Sequence, residues 1–191
     1  MKNSLAMGRE LRLLVYGASA VVLVLAGLQL TSRVGFLASR RLPTAAAVGA
    51  LAPDFTLGKA GAPGELQLSS FRGKPMLLSF FCGCGECRSV AVGLAEHAKE
   101  LGDAQVVAVM SDHTAYNPAN LKNFRWGTGF QWPVLADVGS NVSLRYDSVN
   151  CPRLWVLDAN GVVRHICPGR GTPGETIVAD ALKALQGLHG S

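Results

Sequence analysis

The sequence predicts an α/β domain with a central mixed sheet and helices on both faces, preceded by a transmembrane helix. Two observations predict the domain. Short apolar runs typical of buried strands alternate with segments of helical period, and a hairpin signal late in the chain adds antiparallel strands. A long uncharged run near the start predicts the membrane helix. Charged residues make up only 16% of the chain and hydrophobic ones 49%, which excludes a disordered protein.

The uncharged run spans residues 13–30 (LLVYGASAVVLVLAGLQL). A helix of this length, rising about 1.5 Å per residue, nearly matches a hydrocarbon core of roughly 30 Å. We therefore predict a short basic N-terminus over 1–12, a transmembrane anchor over 13–32 and a linker over 33–47. A cleaved signal peptide is the alternative, because basic residues precede the run, although the small residues that a peptidase needs are poorly placed.

Residues 48–188 are predicted to form one domain, with a tail over 189–191. Two apolar runs in its first half predict buried strands, Met76–Phe81 and Gln105–Met110. A short helix is expected around Asn120–Phe124. Between the two strands, apolar residues recur at helical spacing until a glycine stops the helix: Val90, Leu94, Ala98, Leu101 and then Gly102.

The second half of the domain contains a hairpin and a final helix. The strands Arg153–Leu157 and Val162–Ile166 flank the turn sequence Asp158–Gly161, in which Asn-Gly accepts a positive φ at low cost. The segment Thr172–Glu175 (TPGE) then predicts a helix start, with threonine as the cap, proline first in the helix and glutamate completing a capping box.

The positive charge belongs to the start of the chain. Residues 1–42 carry six basic side chains and one acidic one, whereas residues 43–191 carry twelve of each. The isoelectric point near 9.1 therefore reflects the N-terminal segment alone. A basic face for nucleic acid is not expected on the domain, so nucleic acid is not a predicted partner.

Five cysteines carry the candidate chemistry: Cys82, Cys84, Cys87, Cys151 and Cys167. Cys84 and Cys87 form a C-x-x-C motif between a predicted buried strand and a predicted helix start. The helix N-terminus stabilises the thiolate of the first cysteine, and the second, one turn further on, attacks a mixed disulfide made by the first. Zinc is not expected, because a structural site needs four ligands and no second tight pair is present.

The order of several short motifs resembles that of thioredoxin-fold redoxins in the AhpC/TSA-like group, particularly the membrane-tethered TlpA/ResA kind. The resemblance runs from about Val48 to Leu188. The segments that carry it are Ala52–Leu57 (APDFTL), Leu68–Lys74 (LSSFRGK), Phe80–Phe81, Cys84–Arg88 (CGECR), Pro133–Asp137 (PVLAD) and Pro152–Gly161 (PRLWVLDANG).

The resemblance implies a thioredoxin-like fold in which Pro152 is a cis-proline facing the dithiol. It implies that Cys84 attacks and Cys87 resolves, the roles that their positions also favour, and that no cofactor or metal is needed. The expected partners are protein thiols or disulfides and an electron donor that the sequence does not identify. Together with the anchor, it implies a single-pass membrane protein whose C-terminal domain lies outside the cytoplasm, on the periplasmic or cell-surface side.

The chain departs from this family pattern around the motif. Gly83 replaces the usual tryptophan before the first cysteine, and Ser79 stands where relatives often have a buried acid or amide. Glu86 places a negative charge inside the motif, which disfavours the thiolate and favours the oxidised pair. We therefore predict a reductant-type dithiol rather than a strong oxidant.

The remaining cysteines have weaker assignments. Cys82 ends a predicted buried strand, and we interpret it as a core residue. Cys151 precedes the expected cis-proline and so should lie near Cys84, where it tunes the pair, forms an alternative disulfide or fills the core. Cys167 has no predicted role, and an odd number of cysteines leaves at least one thiol unpaired in a monomer.

Two other functions remain open from the sequence. Pro75, Ser79 and Cys82 match the spacing of a peroxidatic site in a peroxiredoxin, an antioxidant peroxide reductase, although the intervening residues belong to the predicted strand. A Cu(I)-binding chaperone of the Sco kind is the non-enzymatic alternative, because the clustered thiols suit Cu(I) and His113 or His165 would supply a histidine ligand.

Overall fold

The computed structural model describes residues 46–111, 118–148 and 150–189. The predicted N-terminus, the anchor and most of the linker lie outside the described residues. Within the described ranges, no helix is both long enough and apolar enough to cross a membrane.

Strands and helices alternate along the described chain, as the sequence predicts. The strands are β1 (Thr56–Lys59), β2 (Glu65–Gln67), β3 (Met76–Phe81), β4 (Gln105–Ser111), β5 (Val134–Asp137), β6 (Arg153–Leu157) and β7 (Val163–Ile166). The α-helices are α1 (Gly85–Glu96), α2 (Pro118–Thr128), α3 (Asn141–Arg145) and α4 (Gly174–His189), and 3₁₀ turns cover Leu68–Phe71 and Val138–Ser140.

The strands form one mixed sheet in the order β2-β1-β5-β4-β3-β6-β7. The central pairs β3–β4 and β4–β5 are parallel, whereas β6 and β7 extend the sheet antiparallel on one side, and β1 and β2 do so on the other. Strand β3 lies in the interior of the sheet, between β4 and β6, with all six residues buried. The residues that follow its C-terminal end therefore lie at the sheet edge beside the ends of these two strands.

The two faces of the sheet have separate hydrophobic cores. Alternate residues of β3 point to opposite faces, so that Leu77 and Phe81 pack with helices α1, α2 and α4, while Leu78 and Phe80 pack on the other face. The second face is covered by helix α3 and by residues 46–55, with an aromatic cluster of Phe55, Phe80, Tyr146 and Trp155 at its centre. The predicted α/β architecture with a mixed sheet is confirmed.

Two predicted helix boundaries differ from the structure. Helix α1 ends at Glu96, and hydrogen-bonded turns cover the residues up to 103, although Leu101 is buried as its spacing predicted. Helix α4 begins one residue later than predicted. The Thr176 amide donates to the carbonyl of Pro173 and not to that of Thr172, so the first i→i−4 bond is the one from the Ile177 amide to Pro173.

The predicted hairpin is present. Strands β6 and β7 pair antiparallel, and the amide of Gly161 donates to the carbonyl of Asp158 across the turn. Gly161 alone has a positive φ in this turn, at 81°, so the glycine rather than the preceding asparagine supplies the left-handed residue.

Candidate active site

The C-x-x-C motif lies where strand β3 passes into helix α1. Cys84 is the N-cap of α1, and its carbonyl accepts the first helical hydrogen bond, from the amide of Arg88, at 3.0 Å. The loop before it turns at Gly83, whose φ is 80°. This left-handed conformation disfavours a large side chain, which explains why glycine replaces the tryptophan that the family pattern places there.

The two motif thiols differ sharply in their surroundings. The Sγ atoms of Cys84 and Cys87 lie 3.4 Å apart, within hydrogen-bonding distance, but Cys84 is half-exposed whereas Cys87 is fully buried. Burial raises the pKa of the Cys87 thiol to about 12, and the neighbouring Cys84 adds to this rise. The backbone amide of Cys82, which donates to the Cys87 sulfur at 3.4 Å, opposes it in part. Cys87 therefore keeps its proton at neutral pH.

A second pair of cysteines lies beside the motif. Cys82 and Cys151 are joined by a disulfide, although 69 residues separate them in sequence. The interpretation of Cys82 as a core residue is therefore wrong. It follows β3 directly and Cys151 lies just before β6, and because these two strands are neighbours, their ends bring the two sulfurs together. The position of Cys151 before the expected cis-proline was the one sequence signal for this proximity.

The peptide bond between Cys151 and Pro152 is cis, as the resemblance implied. Pro152 is buried, between the disulfide and the start of β6. Its expected role in shaping a substrate groove stays a prediction.

A cleft of about 490 Å³ opens above the sulfurs. Its lining consists of Cys82, Cys84, Gly85, Glu86, Cys151 and Arg170. Cys84 and the disulfide thus face the cleft, with Cys87 in the core behind them. Arg170 is a site residue that the sequence did not indicate, because it belongs to the loop between β7 and α4, far from the motif in the chain. Its guanidinium and the Glu86 carboxylate give the cleft one charge of each sign.

The sulfurs of Cys82, Cys84, Cys87 and Cys151 all lie within 4.8 Å of one another. While Cys82 and Cys151 are bonded, only two thiols of this group are free to ligate a metal. After reduction the group would offer four thiolates, a set suited to a soft metal ion. The fold thus supplies a second pair of cysteines that the spacing in the sequence does not show, and the expectation that no zinc is bound stays a prediction.

Of the two histidines considered for Cu(I), His113 lies outside the described residues, and His165 does not lie in this group of sulfurs. His165 is in strand β7, where its Nε2 is 2.6 Å from Asp180 Oδ2, and it clusters with Cys167 and Asp180 instead. Burial, reinforced by Asp180, raises the pKa of the Cys167 thiol, so that this thiol stays protonated.

The residues that match peroxidatic spacing are held by the sheet. Ser79 is inside strand β3, fully buried, and its hydroxyl has no hydrogen-bond partner among the described residues. Cys82, the matching cysteine, is bonded to Cys151. The two residues between Ser79 and Cys82, Phe80 and Phe81, therefore belong to strand β3, as the sequence predicted, rather than to a loop.

A mixed sheet with this strand order and a C-x-x-C dithiol at the start of a helix define a thioredoxin-like thiol–disulfide oxidoreductase. More specifically, the chain belongs to the AhpC/TSA family, whose model matches residues 48–166.

The relatives include both a thiol-disulfide oxidoreductase and a peroxiredoxin. The chain is 28% identical over 160 residues to the thiol-disulfide oxidoreductase ResA of Geobacillus thermodenitrificans, which covers 83% of this chain and 89% of that protein. It is 31% identical over 159 residues to mouse peroxiredoxin-2, which covers 75% of this chain and 80% of that one.

Solved structures show the same fold. A secreted disulfide oxidoreductase of Mycobacterium tuberculosis, homologous to DsbE of Escherichia coli, superposes with a TM-score of 0.60 at 18% identity, covering 70% of this chain and 96% of that one. Peroxidoxin BcpB of the same organism superposes with a TM-score of 0.61 at 20% identity, covering 74% and 97%.

Proposed function

We propose that this protein is a membrane-anchored thiol–disulfide oxidoreductase that reduces disulfides of protein partners outside the cytoplasm. The observation that carries the proposal is the pairing of a half-exposed Cys84 sulfur at the cleft with a buried Cys87 sulfur 3.4 Å behind it. In this arrangement the Cys84 thiol contacts the substrate, and the buried Cys87 thiol reacts in the second step.

The first step forms a mixed disulfide. The Cys84 thiolate, at the N-terminus of α1, attacks one sulfur of the substrate disulfide. A bond forms between Cys84 and that sulfur, the substrate S–S bond breaks, and the second substrate sulfur leaves as a thiolate. The cleft in front of Cys84 admits the substrate segment, and Pro152, which follows Cys151 of the cleft lining, is the residue expected to shape the groove.

The second step uses Cys87. While Cys84 is an anion, its charge and hydrogen bond contribute to the raised pKa of Cys87. Once Cys84 is bonded to substrate this contribution disappears, and Cys87 loses its proton more readily. Its sulfur then attacks Cys84, the Cys84–Cys87 disulfide forms, and the substrate sulfur leaves reduced. Two electrons have passed to the substrate, and an external dithiol donor restores the pair.

The location rests on the sequence and on the relatives. The uncharged run of residues 13–30 has the length of a membrane helix, and the excess positive charge is confined to residues 1–42. Such an anchor would hold a disulfide-exchanging domain at the membrane, in an oxidising compartment. The structurally similar mycobacterial oxidoreductase is described as secreted, which supports an extracytoplasmic domain here.

Trapping the mixed disulfide tests this function. The Cys87→Ala variant of the full chain should stall after the first step and accumulate covalent complexes with its partners. We expect reducing agent to release these partners, and mass spectrometry to place the bond at Cys84.

The matched control is the double variant Cys84→Ser, Cys87→Ala, which should trap nothing. Complexes that persist in the double variant, or that are bonded through Cys167, would contradict the assigned roles.

Peroxide reduction is a second candidate, favoured by the peroxiredoxin relatives and the Pro75–Ser79–Cys82 spacing. It predicts that the full chain consumes hydrogen peroxide at the expense of thiols, and that Cys82→Ser abolishes this activity while Cys84→Ser does not. Loss on Cys84→Ser alone would assign any peroxide consumption to the C-x-x-C dithiol instead.

A further inference from the structure

The Cys82–Cys151 disulfide lies within reach of the dithiol. Cys82 Sγ is 3.7 Å from Cys87 Sγ, and Cys84 Sγ is within 4.8 Å of both bonded sulfurs. Both bonded cysteines line the same cleft as Cys84. The disulfide is therefore exposed to the thiol that attacks substrates.

Opening this disulfide would leave the site assembled. Strands β3 and β6 are hydrogen-bonded neighbours whose paired register runs up to Phe80 and Arg153, next to the two cysteines. The segments that the disulfide joins are thus held side by side by the sheet itself. A bond in such a position can break and re-form without separating its two sulfurs.

We propose that Cys82 and Cys151 form a second redox-active pair that exchanges its disulfide with the Cys84–Cys87 pair, so that one chain carries four reducing equivalents. The proposal rests on the proposed function, in that Cys84 is taken as the attacking thiol. In this exchange Cys84 attacks the sulfur of Cys151, the residue before Pro152, as it would attack a substrate sulfur.

The exchange runs through two substitutions at sulfur. In the first, the Cys84 thiolate attacks Cys151 Sγ, the Cys84–Cys151 bond forms, the Cys82–Cys151 bond breaks and Cys82 leaves as a thiolate. In the second, Cys87 attacks Cys84 Sγ, 3.4 Å away, the Cys84–Cys87 bond forms and Cys151 leaves as a thiolate.

Electrons and protons balance within the chain in this exchange. Two electrons pass from the Cys84–Cys87 pair to the Cys82–Cys151 pair, and the two thiol protons of the first pair end on the second. No outside oxidant or reductant is consumed. In reverse, reduced Cys82 and Cys151 restore the Cys84–Cys87 dithiol after it has reduced a substrate. A fully reduced chain then reduces two substrate disulfides rather than one.

Peptide mapping distinguishes the two pairs directly. Trypsin leaves Cys82, Cys84 and Cys87 on one peptide, residues 73–88, because proline follows Lys74, and it leaves Cys151 on the peptide of residues 146–153. A Cys84–Cys87 bond is thus internal to one peptide, whereas a Cys82–Cys151 bond joins two.

The experiment starts from the full chain in detergent, reduced with dithiothreitol, freed of reductant without air and kept in a metal chelator. One equivalent of glutathione disulfide is added, and samples are quenched with acid, alkylated and mapped. We expect the internal bond first and then its conversion to the joined peptides, without further oxidant and at a rate independent of protein concentration. The final arrangement is the pairing seen in the structure.

The capacity for disulfides gives the second readout. With excess glutathione disulfide, the wild-type chain should form two disulfides, and Cys82→Ser or Cys151→Ser only one, a twofold difference. Cys167→Ser is the matched control, because its thiol lies outside the cluster, and it should form two like the wild type. Cys87→Ser cannot form the internal Cys84–Cys87 bond, so it should form only one disulfide, the one between the joined peptides.

Two results would overturn the inference. One is joined peptides that survive dithiothreitol while Cys84 and Cys87 become reduced, since the disulfide is then structural. The other is an internal bond that never converts at one equivalent. Both outcomes leave reduction of insulin by the Cys84–Cys87 pair intact. Equal insulin reduction by the wild type and by Cys84→Ser would instead contradict the proposed function itself.

Discussion

Cys87 packs in the core beneath the first turn of helix α1, with none of its side chain exposed. This burial makes the Cys87 thiol harder to ionise, because a thiolate in this position would lose its hydration. Cys84, at the cap of the same helix, keeps contact with the cleft. This difference in environment supports the proposed order, in which Cys84 attacks and Cys87 resolves.

The raised pKa of Cys87 makes a prediction about stability in alkali. Because the folded state holds this proton more tightly than the unfolded state, the contribution is complete below about pH 9 and is lost as the pH rises towards about 12. The reduced wild type should lose up to about 1.4 kcal/mol of unfolding free energy per pH unit more than Cys87→Ser over this range. Denaturant titrations of both chains at several pH values measure the difference, and parallel curves would contradict it.

Glu86 makes a prediction about the reduction potential. Its carboxylate is exposed in the first turn of α1, and we expect a negative charge inside the motif to favour the oxidised pair. We expect a potential well below the value of about −120 mV that marks a strong oxidant such as DsbA. Glu86→Gln should raise it by about 10–20 mV, as expected for a surface charge near a helix terminus. Glutathione redox titrations test both values, and no change or a fall on substitution would contradict the charge effect.

At the scale of elements, the site depends on strand ends meeting at one edge of the sheet. Strand β3 leads into the C-x-x-C motif and strand β6 begins just after the cis-proline, so their pairing places four sulfurs together. The sequence predicted β3 and β4 as apolar runs suited to burial, and β6 and β7 as the strands that flank a hairpin turn. It missed β1, β2 and β5, which are only three or four residues long, and β1 and β2 have partly exposed side chains.

The disulfide shows where sequence reasoning reaches its limit. The roles proposed for Cys84 and Cys87 were inferred from a local spacing. The partner of Cys82 depends instead on the pairing of β3 with β6, two strands that are far apart in the sequence. Arg170 was missed for the same reason. A local pattern predicts which side chains are reactive, but the contacts that complete the cleft arise only from the assembled sheet.

Asp137 anchors the turn between β5 and α3. Its carboxylate, 1% exposed, accepts hydrogen bonds from the amides of Val142 and Ser143 at 3.1 and 2.7 Å, and from the Ser143 hydroxyl at 2.7 Å. Asp137→Ala leaves these donors without an acceptor and should lower the free energy of unfolding by about 2–3 kcal/mol.

The matched control for this change is Asp103→Ala. Asp103 is exposed and its carboxylate lies 3.9 Å from the ammonium of Lys74, so the change should stay within about 0.5 kcal/mol. Denaturant unfolding of the full chain in detergent measures both variants. Equal effects of the two substitutions would show that the buried carboxylate does not hold the turn.

At the scale of the whole molecule, charge and hydropathy divide the chain into two parts. Residues 1–42 hold the net positive charge and the uncharged run, and residues 43–191 are neutral overall. This division is consistent with the setting proposed above, a redox domain without net charge that is attached to a membrane by its N-terminal segment.

The proposed anchor predicts how the chain fractionates. The full chain should sediment with membranes and need detergent for extraction, whereas a variant lacking residues 1–32 should not. Removal of residues 1–12 alone keeps the apolar run and should leave the chain in the membrane fraction. A shortened variant lacking 1–32 that still resists extraction by salt would contradict the anchor.

The most direct test of the account is the rate at which iodoacetamide labels each thiol of the native chain at neutral pH. Disulfide-bonded Cys82 and Cys151 stay unlabelled, so fragmentation spectra resolve Cys84, Cys87 and Cys167. We predict that Cys84 reacts at least about tenfold faster than either buried thiol, because it is accessible and they remain protonated. Equal rates, or faster labelling of Cys87, would contradict the assignment of Cys84 as the attacking sulfur.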